Sequence, residues 1–136
     1  MFNTYISTAA LLLVAFLFGG MLLFSAGFAA FLFKHLPPSE ARLLIRKVFP
    51  PFYLFVIFSS GLAAVLYWMS DPINSVLMFG VMLTTVPARQ ILMPAINRAT
   101  DSGLKRRFMW LHGFSVVLTL GHIITAAAVL IRSMPH

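Results

Sequence analysis

The 136-residue sequence contains no cysteine and only three acidic residues. The first absence removes disulfides, thiolate metal ligands and cysteine nucleophiles, and it leaves thiol usage silent about redox compartment. The second leaves no apolar run with a pair of carboxylates for acid and base work. HExxH, GxSxG and a phosphate-cradling glycine loop are also missing, so hydrolase and kinase chemistry are set aside. Polar surface is scarce too. Charged residues are 10% of the chain, too few to clothe a soluble core of this size.

What is present is apolar: 60% of residues are hydrophobic and the mean hydropathy is +0.95. Four runs, near residues 7–33, 50–69, 73–94 and 108–131, each reach the roughly twenty residues that cross a ~30 Å hydrocarbon core. The expected fold is all-α, an integral membrane four-helix bundle forming a single domain over residues 1–136. Met1 to Thr8 carry no Lys or Arg, and the apolar run behind them is about twice the length of a signal-peptide core. That run is expected to remain as the first span.

Basic residues set the expected orientation. Lys34, Arg42, Arg46 and Lys47 crowd the first connection and Arg98, Lys105, Arg106 and Arg107 the third, whereas the second holds only Asp71. Positive connections mark the cytoplasmic side, which puts both termini outside; Arg132 is a mild counter-signal. The net charge of +7 flanks membrane spans and carries no nucleic-acid motif. The partners it implies are anionic lipid headgroups, each base contributing about 1 kcal/mol near such a surface, and no nucleic acid.

Prolines punctuate the connections. Pro37-Pro38 should end the first span, with Ser39 capping a short amphipathic helix on the inner face. Pro50-Pro51 should start the second, anchored by Tyr53 at one end and Tyr67-Trp68 at the other. Asp71-Pro72 makes a tight turn, so spans two and three form an antiparallel hairpin.

Within the spans, Ala15, Gly19, Ala26 and Ala30 share one face of the first, with Gly20 and Gly27 close by. Small faces allow close helix packing in lipid. The third span places Met78, Met82, Thr85, Arg89 and Met93 on one stripe, and Pro87 within it removes a backbone hydrogen bond near Leu83. Met78 and Met82 are two thioethers of the kind that suit Cu(I), but two alone make an incomplete site, and ordinary packing is the stronger reading. Arg89 has two readings, snorkelling to the interface or facing inward as a site residue, where Asn97, Arg98 and Asp101 would complete a polar cluster.

On the fourth span His112, Ser115, Thr119 and His122 fall within an arc of about 80°, a polar face expected to point inward. Intramembrane histidines raise haem as a ligand. His112 and His122 are about 15 Å apart along the axis, too far to clasp one iron, and His35 is the histidine placed to face His112. A dimer or single ligation would have to complete such a site.

Several segments together resemble a known family. They are Phe18-Gly19-Gly20 with Phe24-Ser25-Ala26, Phe33 with Leu36-Pro37-Pro38, Phe49-Pro50 with Tyr53, Leu92-Met93-Pro94-Ala95-Ile96-Asn97 with Asp101, and Phe108 with Leu111-His112-Gly113-Phe114-Ser115. The chain is similar to the small four-span membrane proteins of unknown function that include bacterial relatives of the eukaryotic transmembrane protein 205. Thr119 departs from that pattern, where an Asn is expected. The resemblance implies a four-helix bundle in a bacterial inner membrane and no reaction.

Two functional expectations follow. One is a non-enzymatic membrane protein, without a cofactor, that binds a partner, lipid or small solute through an inner cluster of Arg89, Asn97, Asp101, His112 and Ser115, as a homo-oligomer or with a second membrane protein. The other is a redox protein holding haem, a porphyrin or copper through His35, His112 or His122.

Overall fold

The computed structural model describes residues 1–135. Four long helices fill it: α1 (Phe2–His35), α2 (Pro38–Tyr67), α3 (Pro72–Asp101) and α4 (Lys105–Arg132). Each is long and apolar enough to cross a membrane, and there is no strand among the described residues. The protein is an integral membrane four-helix bundle. Successive helices pack on one another, and α4 closes the ring against α1.

The connections are shorter than the prolines suggested. No separate amphipathic helix precedes the second span, because α2 starts at Pro38 and continues through Pro50 and Pro51. Pro38 occupies the first turn, where a missing N–H costs nothing, and the cap is Pro37, with no side-chain bond from Ser39. Inside the helix the two prolines deprive the carbonyls of Arg46 and Lys47 of their donors, which interrupts the ladder without ending it. A membrane tolerates this where neighbouring helices cover the freed groups.

Pro87 leads to a different local structure. The backbone widens directly after it into a π-helical turn at Ala88–Leu92. A second π-helical segment, Leu23–Phe28, interrupts α1 without a proline; there Ser25 donates its hydroxyl proton to the Met21 carbonyl, the kind of back-bonding that distorts a helix.

The core runs down the centre of the bundle. From α1 it takes Ala10, Val14, Leu17 and Met21, spaced four, three and four. The small-residue face expected to pack is turned outward, since Ala15, Gly19, Ala26 and Ala30 are all exposed. A Cβ added at Gly19 would meet nothing within 4 Å, so no neighbouring helix is closely packed on that position. Gly20 is the exception: a Cβ there would lie 2.9 Å from the Phe55 ring.

Close packing by small residues occurs instead on α2, where Ser59, Ser60, Ala63 and Ala64 are buried. Ser75 of α3 donates to the Ala64 carbonyl at 2.7 Å, and the Met82 sulfur sits 2.8 Å from where a Cβ on Gly61 would be. Of the three expected anchors, Tyr53 and Tyr67 are buried within the bundle and Trp68 is exposed.

Candidate functional site

The basic end of the bundle brings together part of the expected cluster. Antiparallel pairing of α2 and α3 sets Arg46 opposite Asp101, and the guanidinium meets the carboxylate as a fork at 2.6 and 3.3 Å. The same side chain donates to the Asn97 carbonyl at 3.3 Å. Arg89 is half-buried, and its Nε donates to the Pro50 carbonyl at 3.2 Å, so it bridges the π turn of α3 to the proline-interrupted stretch of α2. Asn97, Asp101 and Arg89 therefore share one end of the helix pair.

His112 and Ser115 do not join them. His112 is exposed and stacks on Phe108 of its own helix at 5.4 Å, and Ser115 returns its proton to the His112 carbonyl at 2.8 Å. The polar arc of α4 does not face inward as a unit: His112 is exposed, and Ser115 and Thr119 are half-buried. His122 alone on that arc is buried, with 7% of its surface open.

The three histidines of the cofactor reading lie apart. His35 lies tilted against the Phe31 ring at the end of α1, His112 is on the outside of α4, and His122 faces Thr84 of α3. Among the described residues no three His, Asp or Glu side chains are grouped to hold a metal ion. Met78 is fully buried in the core, and Met82 packs on Gly61 of α2.

Two grooves face outward. One, about 770 Å³, lies between α1 and α2 beneath the basic end and is walled by Leu23, Phe24, Phe28, Phe31, Pro51 and Phe55. The rings on this side are tightly layered, with Phe24 and Phe52 stacked at 4.3 Å. Lys34 lies three positions after Phe31 and Lys47 four before Pro51, which puts each base on the same helical face as a groove wall; both are exposed. The other groove, about 440 Å³, lies between α3 and α4 around His122.

The opposite, terminal end holds a network the sequence did not suggest. Asn74 is fully buried; its amide donates to Ser133 Oγ at 3.1 Å and its carbonyl oxygen accepts from Arg132 Nε at 3.0 Å. Ser133 gives its own proton to the Val129 carbonyl, so Oγ also accepts from the Tyr67 hydroxyl at 3.0 Å. Asp71 caps α3 through the Asn74 N–H and lies 3.5 Å from Arg132. The legible signal was distance from the turn: Tyr67 stands four residues before Asp71 and Asn74 three after it.

The family model described as "Domain of unknown function (DUF4149)" matches residues 12–105, from α1 to the first residue of α4. The chain belongs to this family. The match takes in Arg46, Arg89, Asn97 and Asp101 and stops short of His112 and His122. No curated protein and no solved structure matches this DUF4149 chain.

Proposed function

We propose that this DUF4149 protein is a non-enzymatic membrane protein that binds anionic lipid at its basic end, with an acyl chain in the α1–α2 groove and the headgroup on Lys34 and Lys47. The supporting observation is the pairing of an aromatic, bilayer-facing groove with two exposed bases on the faces that form its walls. The cluster expected to bind is largely self-satisfied, since Arg46 already holds Asp101 and the Asn97 carbonyl. Ligand charge therefore falls to the unpaired bases around it.

In the same reading the basic end faces the cytoplasm of a bacterial inner membrane and both termini lie outside, in keeping with positive-inside bias. The kinship with relatives of transmembrane protein 205 belongs to this proposal as well, and it carries no activity with it.

The test is lipid retention measured by native mass spectrometry after reconstitution in mixed phosphatidylglycerol and phosphatidylcholine. K34Q/K47Q should lose the preference for the anionic lipid. Gly27→Leu, whose new side chain would enter the groove, should lose bound lipid of either kind with the bases intact. Equal retention by all three proteins would reject the proposal.

A further inference from the structure

His122 is placed where its chemistry is left incomplete. It lies ten residues before Arg132, the last residue of α4, or about 15 Å along the axis from the terminal end. That is close to the middle of a ~30 Å hydrocarbon layer. Its Nε2 is 2.7 Å from Thr84 Oγ1, and Thr84 Oγ1 also lies 2.8 Å from the Gly80 carbonyl.

One hydroxyl proton serves two acceptors. If Thr84 gives it to Gly80, its oxygen accepts the Nε2 proton and Nδ1 of His122 is a bare acceptor. If Thr84 gives it to Nε2, the histidine carries its proton on Nδ1, a bare donor. In either state Nδ1 has no hydrogen-bond partner among the described residues. No unpartnered side-chain nitrogen or oxygen is fully enclosed there, so Nδ1 keeps some open surface, and His122 is among the residues that line the groove.

An unmet polar atom at this depth is costly, because there is no water to satisfy it. Phospholipid headgroups stay at the interface, about 15 Å away, and acyl tails neither donate nor accept. The matching partner is a lipid-soluble molecule that carries a hydrogen-bonding oxygen into the bilayer interior. The Thr84 proton lets Nδ1 serve as donor or acceptor, which suits an oxygen that changes between carbonyl and hydroxyl.

We propose that the α3–α4 groove binds a lipid-soluble quinone and its hydroquinone, with a ring oxygen on His122 Nδ1. The groove's roughly 440 Å³ falls in the range of small-molecule sites. Gly80 and Gly121 open it: a Cβ at either meets nothing within 4 Å. Phe114 and Leu118 supply apolar wall, and the Phe114 ring offers a stacking surface. This site is independent of the lipid groove between α1 and α2.

The experiment is binding of a decyl-tailed benzoquinone, and of the same compound held reduced, to protein in nanodiscs, with empty discs as the blank. Wild type should bind both forms, and ¹⁵N resonances of labelled His122 should move in opposite senses for the two. Gly121→Leu should fill the groove and weaken binding at least tenfold while thermal unfolding is retained. His122→Gln should do the same where it folds; where it does not, Gly121→Leu and the nitrogen shifts decide. K34Q/K47Q should bind the quinone as wild type does. Binding no greater than empty discs, undiminished binding by Gly121→Leu, or unmoved His122 nitrogens would overturn the proposal.

Discussion

The two ends of the bundle solve the same problem with different chemistry. At the terminal end a fully buried amide, Asn74, ties the α2, α3 and α4 termini through Tyr67, Ser133 and Arg132. At the basic end one ion pair, Arg46–Asp101, joins α2 to α3, with side-chain exposures of 34% and 63%. Buried hydrogen bonds lose much when one partner is removed, whereas exposed ion pairs contribute about 0–1 kcal/mol. The comparison teaches that rigidity is concentrated where the charge is nearly balanced, and the surplus of bases gathers where the structure is held more lightly.

Asn74→Ala is the change most able to break this contrast. It should destabilise the protein by about 2–3 kcal/mol, read as a lowered midpoint of unfolding in mixed micelles. A loss below about 1 kcal/mol would mean that the terminal end is no lock. Next in size, K34Q/K47Q should cost about 2 kcal/mol of headgroup attraction, roughly 30-fold in anionic-lipid affinity, with little change in unfolding. A large stability loss instead would show those bases to be structural.

Tyr67→Phe removes one donor to Ser133 and should cost about 1 kcal/mol. Its effect should largely vanish in an Asn74→Ala background, because the two groups share Ser133; additive effects would separate them. The smallest change is expected for Asp101→Asn, at about 0–1 kcal/mol and shrinking with added salt. A salt-independent loss larger than that of Tyr67→Phe would reverse the ranking of the two ends.

Much of this fold was legible because a bilayer imposes length and composition on any span. The runs at 50–69 and 73–94 announce two helices, and Asp71-Pro72 announces the turn between them. The turn also brings Tyr67 near Asn74, whereas Arg46 and Asp101, 25 residues before and 30 after Asp71, are paired by the packing of the two helices. Prolines were less reliable guides. Pro50-Pro51 stay inside α2, where Arg89 of α3 donates to the Pro50 carbonyl within the same interrupted stretch. The direction of the polar arc on α4 was misjudged because periodicity gives a face and not its neighbour: α3 reaches His122 and leaves His112 outside.

The sequence by itself determined that the chain spans a membrane four times as helices, since hydrocarbon demands internal satisfaction of every backbone group and the apolar runs have the length for it. It also determined that positive charge gathers at one end. The tertiary structure decided which stripe of each helix is buried, turning the small residues of α1 outward and Ala10, Val14, Leu17 and Met21 inward. It decided as well which polar atoms find partners, leaving Nδ1 of His122 without one among the described residues. Those outcomes depend on how neighbouring helices rotate and fit, a property of packed pairs that no single helix carries in its own sequence.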